Sequence, residues 1–215
     1  GEGPGAGRDD GRRSFRQELA EGWREVRARR WFVVAVLGHG VWHFVAGLFL
    51  TLGPLTAVSR LGGEASWVLI VQSGTVGLML GVLVAPRLPV RRPLVVMQIG
   101  AALYVLPLLA LAVPLPAWGI AAAYLMAMFG LGVLSPLWET MLADEIPEAA
   151  LGRVRSFDGL ISFASRPLGL AVAAPLAGVT GMPALLLAGG VLVAAANLAA
   201  IVMTPAARPL AAPRR

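Results

Sequence analysis

Six apolar stretches follow one another along this chain, over residues 32–58, 67–85, 94–113, 118–142, 157–178 and 184–203. A helix needs roughly 17 to 25 residues to cross about 30 Å of hydrocarbon, so each stretch is long enough to span a bilayer. The chain reads as an all-α, multi-pass membrane protein with six transmembrane helices, here called spans 1 to 6. All 18 basic residues are arginine and there is no cysteine, so disulfides, thiolate chemistry and Cys-based metal sites are excluded.

Arginine placement orients the spans, because short translocated connections rarely keep positive charge. Eight arginines precede span 1. Arg87, Arg91 and Arg92 lie between spans 2 and 3, Arg153 and Arg155 between spans 4 and 5, and Arg208, Arg214 and Arg215 after span 6. The other connections carry only Arg60. Both termini are therefore expected in the cytoplasm, with the protein in the cell membrane. Trp31 and Trp138 fall at the expected inner boundary, and Trp67 and Trp118 at the outer one, where indole rings settle at headgroup depth. The net charge of +6 sits beside the spans, which fits orientation and lipid headgroup contact and calls for no nucleic-acid partner.

Residues 1–13 read as a disordered linker, and residues 14–30 as an amphipathic helix on the cytoplasmic face. Phe15, Leu19, Trp23 and Val26 recur there at helical spacing, and Ser14 and Gln17 are placed for a capping box. Residues 31–205 form the bundle, and 206–215 a basic tail. A chain that opens on a linker is expected to have lost what came before it.

Weak internal repetition points to two inverted three-helix repeats. Leu52-Gly53-Pro54-Leu55 in span 1 is echoed by Leu134-Ser135-Pro136-Leu137 in span 4. Span 2 carries Ser73, Gly77 and Gly81 four apart, and span 5 carries Ser165, Gly169, Ala173 and Ala177. Such ladders let backbones approach closely in lipid.

The chain from span 4 into span 5 reads Trp138-Glu139-Thr140, then Ile146-Pro147, then Leu151-Gly152-Arg153-Val154-Arg155-Ser156-Phe157-Asp158, then Pro167-Leu168-Gly169. This run resembles the major facilitator superfamily, in the bacterial branch containing siderophore and macrolide exporters. The resemblance covers all six spans, which would be the second half of a twelve-helix transporter. It implies alternating access to a mid-membrane site, spans 1 and 4 lining the cavity, small-residue ladders at the contact between halves, and a missing N-terminal six-helix half as partner. Gly81 to Arg87, with Arg91 and Arg92, partly resembles the superfamily's Gly- and Arg-bearing loop. Ala85 stands near the place of its usual acidic residue and Pro89 where Gly is expected, so these arginines serve either a gate or topology alone.

Ionisable groups inside a span are functional candidates, because burying charge in lipid costs some 2.5 kcal/mol or more. His39 and His43, with Trp42 beside them, share a face of span 1. They are either cavity or coupling residues or neutral imidazoles bonded between helices, and with both on one helix they make a poor metal or haem site. Arg166, inside span 5, cannot lose its proton and needs a partner, such as Gln72, a substrate acid group or a carboxylate elsewhere. Failing these, it would snorkel past Asp158 to the interface. Glu139, Arg153 and Asp158 fall near the cytoplasmic ends of their spans as gating or structural groups, Asp158 being read in a first helical turn. Gln98 and Asn197 are expected in interhelical hydrogen bonds, on spans 3 and 6 facing lipid.

The resemblance implies a proton-coupled exporter of small amphipathic molecules, expected to have substrate and protons as partners and no cofactor. A half-size dimeric transporter or a non-transporting scaffold is the alternative. An intramembrane serine protease would need Gly-x-Ser-Gly, and Val71-Gln72-Ser73-Gly74 lacks the first glycine.

Overall fold

The computed structural model describes residues 29–113 and 115–204, together with Arg27. Nearly all of the expected amphipathic helix, the linker and the basic tail lie outside these residues. Among the described residues there are only helices, and six of them are long and apolar enough to cross a membrane.

Span 1 is α1 (Arg30–Arg60), and span 2 is α2 (Glu64–Val84), extended by a short 3-10 turn. Span 3 is two helices, α3 (Pro93–Ala102) and α4 (Val105–Ala112). Spans 4, 5 and 6 are α5 (Ala117–Glu145), α6 (Glu148–Thr180) and α7 (Met182–Met203). Pro107 explains the division of span 3. Its ring lacks an N–H and crowds the carbonyl four residues back, that of Leu103. The Leu103 oxygen instead accepts from the Leu106 N–H at 3.0 Å, a tighter turn. Tyr104, at the break, is only 1 % exposed, in an aromatic core with Trp42, Phe49 and Tyr124.

Two tight helix pairs organise the bundle, α2 with α5 and α1 with α6. Both are parallel and both depend on small residues. Ser73 donates to the Ala121 carbonyl at 2.8 Å, and a Cβ on Gly77 or Gly81 would fall onto the Leu125 or Phe129 carbonyl oxygen. On the other side Gly40 meets Ile161 and Ser165, and Gly47 meets the backbone of Arg166, Gly169 and Leu170. The Gly169 position is closed by the Phe44 carbonyl oxygen. The ladders are thus consumed inside this bundle, which corrects the expectation that they meet the other half. What α2 and α6 leave open is large and apolar, with Phe163 82 % and Val179 87 % exposed.

α7 runs antiparallel to α1, since Gly38 lies beside Asn197 and Gly189 beside Leu48. Span 3 is the most enclosed of the six and span 5 the least, which corrects the lipid-facing placement of span 3. The reason is packing rather than polarity: α3 and α4 wedge between α5 and α7, where Gly100 and Gly130 meet backbone to backbone. Gln98 and Asn197 are both buried, and the Asn197 amide donates to its own helix at Val193, 2.8 Å away.

Candidate functional site

The close contact of α1 with α6 sets the polar groups of the two helices against each other. His39 Nδ1 lies 3.2 Å from Asp158 Oδ1, with both side chains largely buried. The other carboxylate oxygen of Asp158 accepts from the indole N–H of Trp138, on α5, at 2.9 Å. The Trp138 ring also stacks on Phe32 and stands edge-on to the His39 imidazole, centroids 4.6 Å apart. One carboxylate is therefore held by three helices. One helical turn further along α1, His43 Nδ1 lies 3.1 Å from Arg166 Nη2.

The two contacts are unevenly spaced on the two helices. Four residues on α1 rise about 6 Å, whereas the eight from Asp158 to Arg166 rise about 12 Å. The long arginine side chain reaches back toward the start of α6 to close that difference. Arg166 has no proton to lose, so against it His43 Nδ1 serves as an acceptor, and its Nδ1 lone pair is occupied. The Arg166 Nε is buried without a partner among the described residues.

These groups open onto a cavity of about 210 Å³. α1 contributes His39, Trp42 and His43 to its wall, and α6 contributes Asp158 and Ser162. α5 supplies Leu131, Leu134, Ser135, Trp138 and Glu139, and Ala101 of α3 forms the remaining side. At the mouth Glu139 is bound by Arg155 Nη2 at 2.5 Å, both side chains about half exposed. The wall can pair with a charge at Asp158 and stack a planar group on indole. Among the described residues no three His, Asp or Glu side chains are grouped so that they could hold a metal ion.

The family model of the Major Facilitator Superfamily matches residues 2–170 of this chain. The chain belongs to the major facilitator superfamily. No curated protein and no solved structure matches it. It is a transporter of that superfamily and a multi-pass membrane protein.

Within this facilitator, the structure brings His39, Trp42, His43, Glu139 and Asp158 to one cavity, with Arg166 directly behind His43. Gln72 is exposed on α2 and takes no part in the wall, so it is not the partner of Arg166. Nor does Arg166 snorkel past Asp158, since its head turns to His43. Asp158 is not in a first helical turn: α6 begins at Glu148, and Arg153 and Arg155 lie on the helix rather than in a connection. Polar residues over 148–156 hid that start from an apolar count, although Ile146-Pro147 marks it, proline being well suited to the edge of a helix. Arg87, Arg91 and Arg92 are exposed and none of them lines the cavity, and Arg87 bonds the Leu83 carbonyl at the end of α2.

Trp138 was the residue that sequence reasoning misplaced. An indole at the end of an apolar stretch reads as a headgroup anchor, yet it is 5 % exposed and bonded to Asp158. The available signal was the spacing of Trp138 and Glu139, whose adjacent side chains reach two different partners on α6. Ser135 and Ser162 carried none, because serine is common in membrane helices.

Proposed function

We propose that this chain is the C-terminal six-helix half of a transporter that exports small amphipathic molecules in exchange for protons, by alternating access. The observation that carries the reading is the His39–Asp158–Trp138 contact on the wall of the cavity. A histidine ring nitrogen 3.2 Å from a carboxylate on a cavity wall is a site where a proton can pass between the two groups. It sits between helices that must move relative to a partner half. His43 is the weaker carrier, because taking up a proton on Nδ1 would set a second cation against Arg166. His39 is thus the first candidate for the coupling proton and Asp158 its partner, while Trp42 and Trp138 offer aromatic surface to substrate.

The pairing of helices supports the inverted-repeat reading. Exchanging span 1 with 4 and span 2 with 5 turns the α1–α6 contact into the α5–α2 contact, and those are the two closest pairs. The arginine asymmetry supports a cytoplasmic location for Arg30, the Arg87 loop and the α5–α6 turn. On that placement the cavity mouth at Glu139 and Arg155 faces the cytoplasm, where an exporter loads.

The test is dye export by this chain co-expressed with an N-terminal half, in vesicles with an imposed pH gradient. A cationic, an anionic and a neutral fluorescent amphipath are each followed. At least one dye is expected to move with the gradient, and His39→Gln should abolish that movement at matched expression. Undiminished export by the His39→Gln, His43→Gln double variant would sink the coupling assignment, and no movement of any dye would sink the export reading.

A further inference from the structure

Arg166 follows Phe157, where the apolar stretch of α6 begins, by nine residues. That is about 14 Å of helix, near half of the ~30 Å hydrocarbon layer. The guanidinium stays charged at that depth, yet the one bond its side chain makes among the described residues is to His43, a neutral acceptor, and its Nε is buried without a partner. No carboxylate among the described residues reaches it. Glu64 stands at the start of α2, Asp144, Glu145 and Glu148 at the turn from α5 to α6, and Glu139 is bound by Arg155. Asp158, about two turns back along α6, balances the charge only from a distance, because its oxygens are held by His39 and Trp138.

The place of Arg166 on its helix shows where a counter-charge can come from. Arg166 forms no part of the cavity wall. Phe163 and Leu170, three residues before it and four after, share its side of α6, and both are exposed. Its backbone closes on Gly47 of α1. Arg166 therefore stands at the rim of the apolar face that α6 leaves open, beside the seam with α1. A charge bordering apolar surface at this depth is costly unless it is paired and hydrogen-bonded. A second copy of this chain, docked through the open faces of α2 and α6, would bring no acid to it. α2 carries Gln72 and no carboxylate beyond Glu64 at its first residue, and the Asp158 of α6 is already held from α1 and α5.

We propose that the open face of α6 docks a transmembrane helix of a different six-helix half, and that this helix carries one carboxylate which pairs with Arg166 near mid-membrane. The proposal rests on the reading of this chain as half of a twelve-helix transporter. Leu160, Phe163 and Leu170, all exposed, give the contact its apolar area. The ion pair sets its depth and register, as a single buried polar group does in a coiled coil. Nη2 is the nitrogen bonded to His43, which leaves Nη1 to donate to the incoming carboxylate without breaking the bond already made.

The experiment is resonance energy transfer from the tryptophans of the purified chain to a dansyl-labelled transmembrane peptide in phosphatidylcholine vesicles. The peptides are leucine–alanine helices of one length with aspartate, asparagine, lysine or leucine at the central position. The aspartate peptide should bind roughly tenfold tighter than the asparagine peptide, the scale on which a charge-assisted hydrogen bond exceeds a neutral one. The lysine and leucine peptides should bind no better than the asparagine one. In Arg166→Gln, whose amide can still donate to His43, the preference for aspartate should vanish, and Arg166→Glu should transfer it to the lysine peptide. Should these variants not fold, the aspartate-to-asparagine ratio on the unaltered chain still decides. Equal binding of those two peptides, or a preference for aspartate that survives Arg166→Gln, would overturn the proposal. Displacement of the aspartate peptide by millimolar benzoate would overturn it by giving Arg166 to a small-molecule acid, and a chain that dimerises and excludes every peptide would give the face to a second copy. Dye export without a preference for aspartate would sink this proposal and leave the transport reading standing. The preference without export of any dye would support this proposal and count against transport alone.

Discussion

Gly47→Ala probes the contact on which the site depends. A Cβ there would lie 2.7 Å from the Arg166 carbonyl oxygen, 2.7 Å from the Leu170 nitrogen and 2.9 Å from the Gly169 carbonyl carbon. Ordinary contact begins at 3.4 Å, so the shortest of these falls 0.7 Å short. All three atoms are backbone, and no side-chain end can swing away. α1 and α6 must therefore separate, and overpacking of this kind costs about 1–3 kcal/mol. The nearest polar casualty is one helical turn away. Opening the 3.1 Å contact between His43 and Arg166 by a similar amount takes it beyond hydrogen-bond reach. Chains of this size lose roughly 2–4 °C of midpoint per kcal/mol, so the thermal midpoint should drop by about 2–12 °C. The measurement is tryptophan fluorescence during heating in detergent, at one fixed scan rate because membrane proteins often unfold irreversibly. Gly152 supplies the control: it lies in the same α6, and a Cβ there would meet nothing within 4 Å. Gly152→Ala should hold or raise the midpoint, by up to about 1 kcal/mol from helix propensity. The Gly47→Ala, Gly169→Ala pair should lose less than the sum of its parts, because one parting of the helices accommodates both methyls. A Gly47→Ala midpoint at or above that of the parent chain would refute the close-packing argument.

Cysteines introduced at Ser59 and Gly181 should react with an impermeant thiol reagent added to intact cells and one at Arg91 should not; labelling of the Arg91→Cys variant reverses the topology. The chain reconstituted by itself is expected to show no dye flux above empty vesicles, because the apolar faces left by α2 and α6 then have no partner half. Robust flux from the isolated chain would favour the half-size dimer. Trp138→Phe keeps the ring stacked on Phe32 but removes the hydrogen bond to Asp158, and should cost about 1.5–3 kcal/mol, the range for a bond to a charged group, read as a lower thermal midpoint. An unchanged midpoint would mean the indole N–H contributes nothing. Arg166→Lys retains the charge behind His43 without the planar head and should keep part of the export that Arg166→Ala loses; equal loss in both would assign the role to the guanidinium geometry rather than to charge.

The number and rough limits of the spans were legible in the sequence, because a bilayer demands about twenty apolar residues per crossing wherever the helix ends up. So were the small-residue ladders, since only glycine, alanine and serine let backbones meet. Their partners were not. A ladder shows that something approaches closely, and only the packed bundle shows that α5 and α1 do so rather than a second half. The histidines and Arg166 announced themselves as polar groups inside apolar runs. Their pairing did not, because it depends on the registry of α1 against α6, which puts Asp158 opposite His39 and bends Arg166 back to His43. Trp138 shows the same limit. Its sequence position suits the membrane boundary, and only the stacking of Phe32 and the approach of α6 turn its N–H inward to Asp158. Composition and spacing are local quantities and carry the crossings and the family. Which two side chains, more than a hundred residues apart, share a hydrogen bond is set by how whole helices pack, and that only the tertiary structure decided.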